Sequence, residues 1–137
     1  MGLERCQLIE LPVIANPQGN LVFAEAEAHV PFPIARTFCV YDIPAGAARG
    51  AHAHHRLEEV VFCVAGSLEM VLDDGVSRHT YRLEDPRRGL YVPPMIWHDI
   101  GEFSAGAVYM GLVSTAFDED DYIRDYDEYL ATARAVL

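Results

Sequence analysis

The sequence predicts an all-β protein, a sandwich or barrel of short antiparallel strands closed by one C-terminal helix. Short runs rich in β-branched and aromatic residues recur along the chain, and Gly, Pro and Asp turn signals divide them. Near the end the apolar period changes from that of a strand to that of a helix. The first expected strands are 21–25 ("LVFAE") and 36–43 ("RTFCVYDI"), each ended by turn-forming residues. Strands 59–65 ("EVVFCVA") and 68–72 ("LEMVL") follow, and "DDG" at 73–75 marks a hairpin, since Asp-Gly tolerates the positive φ such turns require. Strands 78–83 ("RHTYRL"), 89–93 ("GLYVP"), 96–100 ("IWHDI") and 107–113 ("AVYMGLV") complete the set. Beyond them Tyr122, Ile123, Tyr126, Tyr129, Leu130 and Ala133 recur at helical spacing after an acidic start at Asp118. A helix over about 118–135 is expected to close a β region of about 20–115, and the tyrosine stripe reads as helix packing.

At 137 residues the length fits one domain spanning 1–137, and 51% hydrophobic residues suffice for an ordinary core. No apolar run has the length of a membrane span or a signal peptide. Cys6, Cys39 and Cys63 are odd in number and lack CxxC spacing, which suggests free thiols in a reducing, cytoplasmic setting. The formal charge of -11 argues against nucleic acid or an anionic membrane as partner. Much of that charge lies in 118–128 ("DEDDYIRDYDE"), where seven carboxylates face one arginine. Elsewhere the chain is only mildly acidic, so an anionic small molecule can still bind where arginines gather.

The chemistry concentrates in 49–66, "RGAHAHHRLEEVVFCVAG". On a strand, residues two apart share a face, so His52 and His54 point together and His55 does not. Such a pair suits metal binding or proton transfer. The spacing goes further: Gly46, five residues, His52, one, His54, four, Glu59, six, Gly66. Downstream, Pro93 is followed five positions later by His98. These patterns resemble the two motifs of the cupin superfamily, although two glycines usual in the second are replaced by Arg87 and Met95. The resemblance implies a single cupin β-barrel, a jelly roll of two antiparallel sheets, with the C-terminal helix added.

"PFPIAR" (31–36), "RGAHAH" (49–54), "DDG" (73–75), "GLYVPPMIWHD" (89–99) and "DEDDYIRDYDEYL" (118–130) make a closer likeness. In this order and spacing they resemble the cupin-type sugar 3,4-ketoisomerases (FdtA/QdtA type, WxcM-like), which act on nucleotide-linked 4-keto-6-deoxyhexoses in deoxysugar biosynthesis. The resemblance implies a dTDP-sugar isomerase that works through an enediol and requires no metal. It further implies a homodimer, with N-terminal strands exchanged between subunits in many members. A 4-keto to 3-keto shift needs a proton taken from C3 and one delivered to C4. Imidazole titrates near neutrality and can do both. The resemblance points to His52 as base with His54 assisting. It places Arg36 and Arg49 at the substrate, where guanidinium forks match phosphate oxygens. Phe38, Tyr91, Trp97 and His98 are further expected substrate contacts.

The chain departs from the family at four positions. Phe38 stands where relatives have a tyrosine thought to pass a proton between sugar oxygens, and Cys39 replaces a frequent aromatic. Gln18 replaces an arginine common in the N-terminal turn. Glu59 stands where relatives commonly carry glutamine, so His52, His54, Glu59 and His98 make up the usual cupin ligand set for a divalent metal. Tyr91 and Tyr109 are candidates for a replacement proton shuttle, against the plainer reading of packed strand aromatics. Two rival readings remain at this level. One is a metal-dependent cupin enzyme; the other is an inert sugar-nucleotide- or partner-binding module, which the loss of the tyrosine at Phe38 would explain.

Overall fold

A computed structural model describes residues 2–135 of the chain. Among the described residues twelve strands appear in order: β1 (Gln7–Glu10), β2 (Val13–Ile14), β3 (Leu21–Val22), β4 (Arg36–Val40), β5 (Arg49–His54) and β6 (Glu59–Ala65). They continue with β7 (Leu68–Asp73), β8 (Arg78–Leu83), β9 (Arg88–Val92), β10 (Trp97–Gly101), β11 (Val108–Val113) and β12 (Tyr122–Ile123), followed by the helix α1 (Tyr126–Ala135). Strand β5, which carries the histidine pair, and the short β1, β2 and β12 are additional to the expected runs.

The strands form three antiparallel sheets, ordered β1-β9-β6-β11-β4, β12-β5-β10-β7-β8 and β2-β3. The two five-stranded sheets face one another. Val61, Cys63, Leu90, Val92 and Tyr109 from the first pack with Leu68, Met70, Leu72, Leu83 and Ile100 from the second. This corrects the expected closed barrel of two sheets: among the described residues no sheet closes on itself. Each large sheet ends in two edges, β1 and β4 in one, β12 and β8 in the other. Pro12 lies just beyond β1, and Pro33 and Pro44 lie on either side of β4. Proline lacks the N–H that a further ladder would use. At the opposite edge β12 is only two residues long.

The hairpin expected at "DDG" joins β7 to β8, with Asp73 paired to Arg78 and Gly75 at φ +92. Asp74 closes this turn by accepting from the N–H groups of Val76 and Ser77. The helix expected from about 118 begins instead at Tyr126. Before it, Glu119–Asp121 form a 3-10 turn capped by the Asp118 side chain, and Tyr122–Ile123 pair with β5. Asp competes for backbone N–H groups and so favours caps over helix interiors. The buried Asp121 carboxylate accepts from the N–H groups of Arg56 and Leu57 at 2.9 and 3.0 Å, fastening this segment to the end of β5. Asp73 anchors α1, accepting from Tyr126 at its carboxylate and from Tyr129 at its carbonyl. Among the described residues no helix is long and apolar enough to cross a membrane.

Candidate active site

A cavity of about 340 Å³ opens between the two large sheets, and each sheet supplies one wall. In the first wall, β4, β11 and β6 form an unbroken ladder from Tyr109 to Val113. Arg36, Val113 and Glu59 lie in one row across it, with Phe38, Gly111 and Val61 in the next, and Val40, Tyr109 and Cys63 in the third. Strand alternation turns these rows inward together. Gly111 has no side chain, and the Phe38 ring lies directly against the space a Cβ would take.

The second wall is irregular. His52 pairs with His98, but the next partner of β10, Asp99, meets Gly50, so Ala51 is the extra residue of a β-bulge. Gly50 and Ala51 both have positive φ, +81 and +58. Glycine adopts this freely, and a Cβ there would meet the His98 carbonyl oxygen at 2.9 Å. The bulge does two things. It lets the Gly50 carbonyl reach Nδ1 of His52 at 3.0 Å. It also restores Arg49 to the inward face, opposite Ile100, where strict alternation would have turned it out.

The ring nitrogens follow from these contacts. His52 donates its Nδ1–H to the Gly50 carbonyl, and His98 donates its Nδ1–H to the Ile96 carbonyl at 3.2 Å. The two Nε2 atoms then face each other at 3.1 Å, and Glu59 Oε1 stands 3.2 Å from that of His98. Burial pushes the Glu59 carboxyl up to about 7, so the group retains a proton near neutrality. Burial and the neighbouring His98 hold His52 down to about 4, and the same causes with His52 added hold His54 lower still. His98, only 2% exposed, is lowered by burial. The imidazoles are therefore neutral bases at rest.

Arg36, Phe38, Arg49, His52, His54, Glu59, His98 and Tyr109 all reach the cavity. Arg36 Nε is buried without a hydrogen-bond partner, and its guanidinium lies 5.8 Å from the Phe117 ring centre. Arg49 Nε donates to the Tyr109 hydroxyl at 3.1 Å. Tyr91 and Trp97, expected at the substrate, do not line the cavity. On β9, Leu90 and Val92 face the core, which turns Tyr91 the other way, where its hydroxyl donates to Glu58 at 2.6 Å. On β10, His98 faces in and Trp97 faces out against Tyr126 and Tyr129 of α1. Tyr122 is the site residue that the helical reading missed. Paired with His54, it sets its ring 4.4 Å from that of His54 and 5.1 Å from that of His52.

His52, His54 and His98 also form a group able to coordinate a metal ion, each offering one ring nitrogen within 4.8 Å of the others. Three neutral imidazoles suit a borderline divalent ion. Glu59, expected as the fourth ligand, stands beside His98.

The fold and this site place the chain among known proteins. Residues 4–134 match the family described as FdtA: WxcM-like, C-terminal. Over 123 residues, 90% of this chain and 88% of the relative, the sequence is 40% identical to TDP-4-oxo-6-deoxy-alpha-D-glucose-3,4-oxoisomerase of Aneurinibacillus thermoaerophilus. The crystal structure of QdtA, a sugar 3,4-ketoisomerase of Thermoanaerobacterium thermosaccharolyticum in complex with TDP, superposes with a TM-score of 0.95 at 33% identity, covering 98% of each chain. A histidine-to-asparagine variant of the same enzyme, in complex with TDP-4-keto-6-deoxyglucose, superposes with a TM-score of 0.92 at 33% identity over 95% of this chain and 94% of that one. The chain belongs to the cupin-type WxcM-like/FdtA–QdtA family of 3,4-ketoisomerases.

Proposed function

We infer that this chain is an isomerase of the dTDP-4-keto-6-deoxyhexose 3,4-ketoisomerase type, moving a carbonyl between C4 and C3 of a TDP-linked sugar. The observation that carries the reading is the orientation of His52. Its Nδ1–H is spent on the Gly50 carbonyl, so the unprotonated Nε2 is the basic atom presented at the cavity. There it takes the C3 proton, and the enediol that results is reprotonated at C4. His54 assists from the same face. Arg36 and the Nη groups of Arg49 are the cations that receive the diphosphate.

A divalent ion held by His52, His54 and His98 would supply Lewis-acid polarisation of a carbonyl oxygen. It would also occupy the lone pair that His52 needs as base, so metal binding and isomerisation compete in this reading. The same reading keeps 1–137 as one cytoplasmic unit whose three thiols remain reduced. We also infer a homodimer. β1 pairs with β9 of its own chain, so an exchange of N-terminal strands would involve β2–β3. That hairpin exposes Val13, Ile14 and Leu21, apolar surface that a second copy would cover.

The experiment is to incubate the protein with dTDP-4-keto-6-deoxyglucose in deuterated buffer and follow the sugar protons by NMR. Appearance of the 3-keto sugar with deuterium at C3 of recovered substrate supports the assignment. Unchanged substrate after prolonged incubation rejects it.

A further inference from the structure

Moving a carbonyl from C4 to C3 requires more than exchange at carbon. After C3–H breaks, the enediolate carries its negative charge on O4 and its hydroxyl proton on O3. Before C4 can accept a proton and C3 become the carbonyl, a proton must leave O3 and another must reach O4. Some group in the wall has to carry it. His52 is already engaged with the proton on carbon, and His98 has its Nδ1 bonded to the Ile96 carbonyl and its Nε2 turned to His52. Phe38 has no proton to give.

We propose that Tyr109 is the catalytic residue that carries the proton from O3 to O4, held for the task by Arg49. This rests on the ketoisomerase reading above. Tyr109 is buried in the cavity wall, diagonal to Phe38 across the β11–β4 ladder, with the ring centres 6.4 Å apart. Its oxygen accepts from Arg49 Nε at 3.1 Å, which fixes the rotor, and its own proton has no acceptor among the described residues. That proton is therefore free to go to a ligand in the cavity. Tyr122 offers less: its partner Arg124 lies over the ring face, 4.3 Å from the centre, and no described residue bonds its hydroxyl.

The step balances. The phenol O–H breaks as O4–H forms, and the resulting phenolate is stabilised by the Arg49 guanidinium. The O3–H bond then breaks as the phenol O–H reforms, and the charge now sits on O3 of the enediolate. Protonation at C4 completes the isomer, with Tyr109 returned to its starting state and no oxidant or reductant consumed. Burial raises the phenol above its ordinary pKa, so at rest it is protonated, the form that must donate first. The bulge at Gly50–Ala51 is what brings Arg49 inward to reach it.

The test is Tyr109→Phe, which keeps the ring and removes only the hydroxyl. Turnover to the 3-keto sugar is expected to fall by about 10²-fold, the usual contribution of a positioned proton donor, with KM changed less than about threefold. Deuterium incorporation at C3 of recovered substrate is expected to persist, because His52 still removes and returns that proton. Exchange without isomerisation is the signature of a missing oxygen-to-oxygen carrier; a packing role would lower both together. Near-normal turnover, or exchange and turnover falling in step, overturns the proposal. Wild-type protein serves as the control: if it too shows no product and no exchange, the ketoisomerase reading itself fails.

Discussion

The two walls of the cavity are built on different principles. The wall of β4, β6 and β11 is a regular ladder whose inward residues, Arg36, Glu59, Phe38 and Tyr109, differ in charge and size. The wall of β5 and β10 repeats one side chain, imidazole, on a backbone broken by a bulge and by a left-handed alanine. Chemistry in the first wall is chosen by the side chain, whereas in the second it is set by where the backbone puts carbonyl oxygens. The first wall should therefore respond to side-chain swaps alone, whereas the second should respond both to loss of an imidazole and to a change in the backbone that holds it.

The sharpest break is His52→Asn, which removes the base while leaving the bulge. A fall in kcat of about 10²- to 10³-fold is expected, together with loss of C3 exchange by NMR. Near-normal exchange would move the base elsewhere. Gly50→Ala attacks the backbone instead. Strain at the positive φ and the contact with the His98 carbonyl should cost about 1–3 kcal/mol, read as a lower denaturation midpoint, and turnover should fall although no side chain of the site has changed. Unaltered stability would mean that the bulge is not required.

Glu59→Gln tests how far the ladder wall controls the imidazoles. Added Zn²⁺ or Ni²⁺ is expected to inhibit the natural protein, whereas EDTA leaves it active. Glu59→Gln should take up metal less tightly, because the amide lacks the carboxylate charge, while keeping turnover within about tenfold, since a carboxamide replaces a protonated carboxyl as hydrogen-bond donor. Activity lost with EDTA and restored by one metal would reverse this order. Arg36→Ala should raise KM by about tenfold, the scale of one charge-assisted contact, with little change in kcat, and added salt should shrink the difference. A collapse of kcat at constant KM would put Arg36 in the chemistry.

The smallest effect is in stability against pH. His54 is held below its ordinary 6.5 in the folded state, so the unfolded chain binds the extra proton first. Its contribution is fully present above pH 6.5 and is lost as the pH falls towards the folded value. Glu59, raised to about 7, has the opposite sign, with its contribution lost as the pH rises from about 4.5 through 7. His54→Gln should therefore flatten the loss of thermal stability between pH 6.5 and 4. An unchanged slope would mean that His54 titrates normally.

Sequence reasoning reached the parts of this molecule where local pattern and tertiary position agree. Strands 59–65 and 78–83 have the expected bounds, and the spacing of His52, His54, Glu59 and His98 anticipated a cluster that the fold brings together. It missed β1 and β2, which are largely exposed on both faces and so show no alternation. Tyr122 was absorbed into the helical period of Tyr126 and Tyr129, although the aspartates before it are cap and turn formers. Parity turns Tyr91 and Trp97 away from the cavity. With His98 facing in, its neighbour Trp97 has to face out. A glycine within a strand was the available signal for the rest: Gly50 marks the bulge, and Gly111 marks the seat of Phe38.

The clasp at Asp121 has a consequence for biosynthesis. The backbone at Arg56, just beyond the histidine strand, is tied to a carboxylate 65 residues downstream. During translation the imidazoles emerge long before the segment that fastens their strand and lays Tyr122 against them. Domains fold as units when their partners are available. A nascent chain stalled before the acidic segment thus displays His52 and His54 on an untethered edge, and the site is complete only once that segment has emerged.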